Sequence, residues 1–300
     1  MSLERESLLR SGVPSDGGES LASRGMRRVG SPGTLAALAA AAILLLAVGF
    51  SGTFQSLWRA WRENPNYSHG VLILPISAFL VWRMRKEIAA TPTAPSWWGI
   101  GVIGLGVLIQ IVGLRGDVTI FQGWAFLVVL VGLIWAWFGW KMLVRVRFPI
   151  AFLLFMVPIL PFLMNSVSFR LKVWAADGAV RLASGLGAPV VQRGMDLYFP
   201  TGTLTVENAC SGLNSLVALM ALGALFGHVA SASAWKGWTL FLLSIPVAIA
   251  ANVIRIASLS VMASVTDTET ASGLFHDVGG FLLFGVALLQ LFGLRKALRC

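Results

Sequence analysis

The sequence predicts an all-α polytopic membrane protein, with an amphipathic surface helix and a short β-hairpin ahead of its sixth span. Three observations carry that reading. Charged residues make up only 12% of the 300-residue chain, about half the share usual in soluble domains. The apolar residues, 57% of the total, gather into about eight runs near the ~20 residues needed to cross a bilayer. The basic excess, a formal charge of +10, sits between those runs, where it sets topology rather than pointing to nucleic acid.

Residues 1–33 are polar and rich in Ser, Gly and Arg, and read as a disordered cytoplasmic tail. No short apolar core with a small-residue cleavage site opens the chain, so no cleaved signal peptide is expected. The runs then lie near 34–57, 70–82, 97–114, 118–140, 148–165, 209–227, 238–265 and 274–294. The second is short and extends back toward Tyr67. The fifth carries Pro149, Pro158 and Pro161; it is expected to kink, with neighbouring helices meeting the freed carbonyls. No internal repeat is visible, which speaks against a transporter built from two similar halves. Residues 34–295 are thus expected to form one transmembrane domain, and 296–300 a cytoplasmic C-terminus.

Orientation follows from Lys and Arg in the loops. Arg5, Arg10, Arg24, Arg27 and Arg28 precede the first run. Arg83, Arg85 and Lys86 follow the second, Lys141, Arg145 and Arg147 the fourth, Lys236 the sixth, and Arg295, Lys296 and Arg299 the eighth. The alternate short loops hold only Arg59, Arg62 and Arg115, and the stretch 266–276 holds neither Lys nor Arg. Both termini are therefore expected in the cytoplasm, with Trp58, Trp61, Trp97, Trp98, Trp140, Trp235 and Trp238 at run ends, where indole rings anchor at the interface.

The longest loop, 166–208, then falls outside. Over 166–186, Val167, Leu171, Trp174, Ala175, Leu182 and Leu186 share one side, while Arg170, Lys172, Asp177 and Arg181 punctuate the rest. That pattern predicts a helix lying on the outer membrane surface. Beyond it, Met195, Leu197 and Phe199 alternate with Asp196 and Tyr198. Leu204 and Val206 alternate with Thr203, Thr205 and Glu207, across a Pro200-Thr201-Gly202 turn. This predicts a β-hairpin leading straight into Cys210.

The predicted topology brings three chemically distinct side chains to similar depth near the outer face. Cys210 opens the sixth run, Arg255 lies in the outward half of the seventh, and His276 stands where the eighth re-enters. A nucleophile, a cation and an acid/base group are the parts acyl transfer needs. A lone cysteine more often packs as a small hydrophobe. Cys210, however, sits in Glu207-Asn208-Ala209-Cys210-Ser211-Gly212, a polar, small-residue helix start where the dipole favours the thiolate. An arginine inside an apolar helix costs at least about 2.5 kcal/mol at the bilayer centre and usually faces the bundle interior; snorkelling is its bland alternative. Asn252 lies one turn from Arg255 and is placed to hold the guanidinium. An interfacial role is the bland reading of His276, and His69, within Tyr67-Ser68-His69-Gly70 at another outer run start, is its rival. His228 and Cys300 fall on the cytoplasmic side. Ser211 and Ser215 stand in no clear nucleophile-elbow motif. No CxxC or HExxH spacing occurs, and no metal or other cofactor is expected.

Four stretches, 61–70 (WRENPNYSHG), 206–213 (VENACSGL), 252–256 (NVIRI) and 275–279 (FHDVG), together resemble the exosortase/archaeosortase family of membrane cysteine transpeptidases. The resemblance spans roughly 40–295. It implies Cys210 as nucleophile, Arg255 as the triad arginine and His276 as the triad histidine; the residues themselves add Arg255 as oxyanion stabiliser, His276 as acid/base, and His69, Asn252, Glu207 and Asn208 as supporting candidates. It also implies the substrates: membrane-anchored exported proteins ending in a Pro-Glu-Pro motif, a transmembrane helix and a basic tail. With them come a bacterial inner-membrane location, a periplasmic site and a link to exopolysaccharide. The competing reading from the residues is a non-enzymatic transporter or export scaffold, in which Arg255 lines a polar path and Cys210 is packing. A polyprenyl-linked glycan enzyme is weaker still, because Glu207, Asp177 and Asp196 form no convincing acidic set.

Overall fold

A computed structural model describes residues 41, 44–159, 161–206, 211–230, 233–266 and isolated positions between 285 and 296. The chain divides into two compact units, Met1–Ser51 and Gly52–Cys300. In the first, residues 44–49 are helical and Ser51 Oγ donates to Val48 O at 2.8 Å. The second unit holds the remaining helices and the sheet.

Helix α1 (Ser51–Glu63) buries Thr53, Leu57 and Trp61, a four-residue spacing that puts all three on one face. The first run was expected to end at 57, but the helix continues because this amphipathic stripe does. A 3-10 turn, Pro65–Tyr67, comes next; the Asn64 side chain caps it by accepting the Asn66 N–H at 3.0 Å. Helix α2 (Gly70–Arg83) and the short α3 (Arg85–Ala90) succeed it. Helices α4 (Trp98–Arg115) and α5 (Thr119–Phe138) form an antiparallel pair. Gly106 of α4 lies where an added Cβ would fall 2.5 Å from Val129 of α5, and Gly113 faces Gln122 in the same way. Small residues let apolar helix backbones approach this closely. Helix α5 stops at Gly139, whose φ of +84 favours glycine, and α6 (Trp140–Arg145) begins directly.

Helices α4, α5 and α10 (Ala234–Val265) are long and apolar enough to cross a membrane, and they are the only ones among the described residues. Arg147–Met156 and Leu213–Val229 are shorter apolar helices. The molecule is therefore a mainly helical membrane protein. The beginning of the first predicted run and most of the eighth fall outside the described residues.

The fifth run breaks rather than kinks. Helix α7 (Arg147–Phe152) gives way to a 3-10 turn, Leu153–Met156, and Val157 is extended before Pro158. Helix α8 (Pro161–Gly185) starts anew. A proline disfavours the helical conformation in the residue before it and supplies no N–H, and two of them three residues apart leave no room for recovery. The exposed carbonyls find donors nearby. Ser77 Oγ donates to Pro149 O at 2.8 Å, Trp61 Nε1 to Met156 O at 2.9 Å and Tyr67 OH to Ile159 O at 3.2 Å. His69 Nε2 lies 3.2 Å from Phe155 O. The stretch 61–70 is thus a clasp on the proline-broken segment. Gly70 belongs to it, since a Cβ there would run into the Trp61 indole. Trp61→Phe, which removes one donor and keeps the ring, is expected to lower stability by about 1–3 kcal/mol. Thermal unfolding in detergent, with Trp58→Phe as the exposed control, checks it.

Helix α8 covers the stretch for which the sequence predicts a surface helix. Its buried residues include Leu171, Ala175, Ala179 and Ala183, whereas Trp174, Leu182 and Leu186 are 57%, 41% and 69% exposed. The predicted apolar side divides: Leu171 and Ala175 turn inward, with Gly178 against Val253 of α10, while Trp174 and Leu182 stay exposed. Close backbone approach selects the small residues.

The hairpin is present, within a three-stranded antiparallel sheet of order β1-β2-β3. Strand β2 (Asp196–Phe199) pairs with β3 (Gly202–Thr205) in the register Leu197↔Leu204 and Phe199↔Gly202. Strand β1 (Val191–Arg193), absent from the sequence reading, adds Val191↔Tyr198. Leu197, Phe199 and Val206 turn into a core shared with Ala175, Ala179, Ile256 and Ala257. The sheet thereby fixes the chain leading toward residue 207 against α8 and α10. Helix α9 (Leu213–Ala230) resumes beyond it.

Candidate active site

Cys210, Glu207, Asn208 and His276 lie outside the described residues. The chain is described again from Ser211, and the local sequence explains its path there. Ser211 Oγ accepts the Leu213 N–H at 3.3 Å, closing a turn that leads into α9. Gly212 has φ +73, and a Cβ on it would fall 2.5 Å from Cγ of Asn252. Both the left-handed backbone and the contact demand glycine. The residue two beyond Cys210 is therefore pressed onto α10 at Asn252, itself buried.

Arg255 is half-buried on α10, three residues beyond Asn252 and so about 4.5 Å further along the axis on the same side. Ser211, Gly212 and Asn252 line a shallow crevice with Leu171, Leu216 and Ile249. Gly212→Ala is expected to cost about 1–2 kcal/mol for the left-handed backbone, with the Asn252 contact adding to that. A lowered melting temperature in detergent checks it, with Gly185→Ala as the open-space control.

His69 adjoins the first turn of α9 through Asn214. Tyr67 packs against the buried cluster of Met164, Leu171 and Leu213, which brings the 65–69 stretch to the first turn of α9. Burial raises the Tyr67 phenol above its ordinary pKa, against the Ile159 hydrogen bond, so it stays a donor. Burial likewise lowers the His69 imidazole, while the Phe155 carbonyl and the Asn214 amide pull the other way. The described residues thus gather Ser211, Gly212, Asn252, Asn214 and His69 around the start of α9, with Arg255 one turn along α10.

The sequence model of the transmembrane exosortases matches residues 58–293. The chain belongs to that family. No curated protein and no solved structure matches it.

In this exosortase the sequence reading missed Gly212 as a contact point, and it missed Trp61, Tyr67 and Ser77 as carbonyl donors. A signal for the donors was present. Three prolines within 149–161 release carbonyls that must be met inside an apolar environment, and a stretch rich in polar-tipped side chains precedes them. Gly212 carried a weaker signal, a glycine following a polar Cys-Ser pair at a helix start.

Proposed function

We propose that this chain is a membrane cysteine endopeptidase or transpeptidase that removes the C-terminal sorting signal of exported, membrane-anchored proteins. Members of the family are generally cysteine transpeptidases. The observation that most supports the reading is Gly212 seated against Asn252, which ties the start of α9 to the helix bearing Arg255. In this proposal both termini are cytoplasmic, and the site faces the periplasm of a bacterial inner membrane.

The substrate's own C-terminal helix holds the scissile peptide at the membrane face, so that proximity is supplied by confinement. Cys210 attacks the carbonyl. Arg255 stabilises the tetrahedral oxyanion. His276 protonates the leaving amine and then deprotonates the acceptor. The thioester passes to an amine or to water. The substrate class is a protein with a Pro-Glu-Pro motif, a transmembrane helix and a basic tail, linked to exopolysaccharide and surface-protein export.

The test is co-expression with a tagged reporter carrying that tail. A size shift is expected only when this chain is present, and it should vanish when the Pro-Glu-Pro motif is changed to three alanines. A reporter of unchanged size in the presence of the membrane-inserted protein would overturn the proposal.

A further inference from the structure

Three basic side chains from three helices come together where α2 and α9 end and α7 begins. Ser77 Oγ of α2 donates to Pro149 O of α7 at 2.8 Å, and His69, just before α2, meets Phe155 O beyond α7. The two segments therefore run antiparallel, and the end of α2 reaches the start of α7. Arg83 lies six residues beyond Ser77, about 9 Å further along the helix, and Arg147 opens α7. The next residue, Phe148, carries the imidazole of His228 flat on its ring, with centroids 3.7 Å apart and planes 9° from parallel. His228 belongs to the last turn of α9. Burial first, then the charges of Arg147 and Arg83, hold that imidazole below its ordinary pKa, so both guanidiniums act on the ring. All three side chains reach the surface.

The neighbouring charges are already engaged. Arg145 pairs with Glu87 at 3.0 Å. Arg85 lies over the Trp82 ring at 4.4 Å and donates to the Trp82 carbonyl. Among the described residues no carboxylate pairs with Arg83, Arg147 or His228. Orientation in a bilayer requires only enough Lys and Arg in a loop. It does not require basic groups from three helices to gather against their own repulsion, and such a gathering calls for an anion. The aromatic residues around it set its depth. Trp82, next to Arg83, is exposed. A Cβ on Gly227 would fall 2.6 Å from the Gly237 carbonyl oxygen, so the exposed Trp235 and Trp238 of α10 stand near the end of α9. Exposed indoles at apolar helix ends mark the headgroup level of a bilayer, where the abundant anion is a lipid phosphate. A guanidinium meets phosphate oxygens through two parallel N–H bonds.

We infer that Arg83, Arg147 and His228 form a binding site for the headgroup phosphate of an anionic phospholipid. The two guanidiniums hold the phosphate oxygens, with the His228 imidazole beside them on Phe148. One lipid thus ties together the ends of α2 and α9 and the start of α7, and it stabilises the proline-broken segment from the end opposite the 61–70 clasp.

The test uses the full chain in neutral detergent and reads its melting temperature against added short-chain lipid. Dioctanoyl phosphatidylglycerol is the anionic probe. Dioctanoyl phosphatidylcholine, which has a phosphate but no net charge, and inorganic phosphate are the comparisons. Phosphatidylglycerol is expected to raise the melting temperature saturably, at concentrations about 10-fold or more below any effect of the other two. Arg83→Gln combined with Arg147→Gln should weaken that response about 30-fold, since each basic group near an anionic surface contributes about fivefold. Arg59→Gln combined with Arg62→Gln removes the same charge from exposed positions of α1 and should leave the response unchanged. An unchanged response in the Arg83 and Arg147 double variant would overturn the proposal. So would an equal loss in both double variants, because net charge alone would then explain it. A response to phosphatidylcholine as strong as to phosphatidylglycerol would overturn the anionic headgroup, and an equally strong response to inorganic phosphate would overturn the lipid in favour of a free anion. Should the double variant fail to fold, Arg147→Gln alone takes its place, with a fivefold loss expected and an unchanged response overturning the site. No arm reads peptide cleavage, so the result stands whether or not the proposed function does.

Discussion

Cys210→Ala is expected to stop reporter cleavage completely while the protein still accumulates in the membrane. Covalent catalysis has no partial substitute for its nucleophile. An alanine leaves the substrate bound next to an oxyanion-stabilising group with nothing to attack it, and uncatalysed amide hydrolysis is immeasurably slow on the scale of an expression experiment. Cys210→Ser should be nearly as inactive, since a hydroxyl ionises far less readily than a thiol. Cys300→Ala, changing the other cysteine of the chain, should leave cleavage unchanged. Immunoblotting of the tagged reporter beside a membrane-fraction blot of the protein reads all three. The transporter or scaffold alternative predicts the opposite pattern, with Cys210→Ala tolerated and Arg255→Ala not. Cleavage surviving in Cys210→Ala would therefore remove the enzymatic reading and leave the alternative standing.

How much of the fold was legible from residues alone depends on what each element buries against. Helices α4 and α5 follow the predicted runs 97–114 and 118–140 within a few residues, because uninterrupted apolar length is a property of the chain itself. The β2–β3 hairpin was legible for a similar reason: the alternation around Leu197 and Phe199 is local, and so is the turn between the strands. Helix α8 was legible as a helix but not in its facing. Its inward side is chosen by the partner helix, and α10 comes close enough at Val253 to admit only Gly178 and the alanines. Large residues such as Trp174 are left outside. The fifth run is not one continuous helix because its prolines interrupt it, and the freed carbonyls are met by donors some 70 to 95 residues away in sequence. Long-range compensation of that kind leaves no periodicity to read. At the site, Asn252 was legible as a neighbour of Arg255 by helical spacing. Its seat under Gly212 was not, because that contact joins two segments about 40 residues apart and depends on a left-handed backbone that glycine permits but does not announce.

Arg255→Ala is expected to lower cleavage by about 10²- to 10³-fold, the range found when a preorganised oxyanion donor is lost. The side chain is half-buried on a helix whose inner face carries Asn252, Ile256 and Ser260. A half-buried guanidinium is less screened by water and stabilises developing negative charge better than a fully exposed cation does. The loss should fall on kcat with KM little changed, because the oxyanion exists only in the transition state. Arg255→Lys keeps the charge but replaces a planar fork of donors with a flexible ammonium, so it should recover part of the rate and not all of it. Lys236→Ala, near the beginning of the same helix, should cut normally. The melting temperature separates this role from packing. Removing a charge from an apolar helix relieves a desolvation cost, so Arg255→Ala should melt no lower than its parent even as cleavage collapses. Should Arg255→Ala cleave within a few-fold of the parent, the oxyanion would have to be held by something else, and Arg255 would be left with anchoring α10 at the membrane interface.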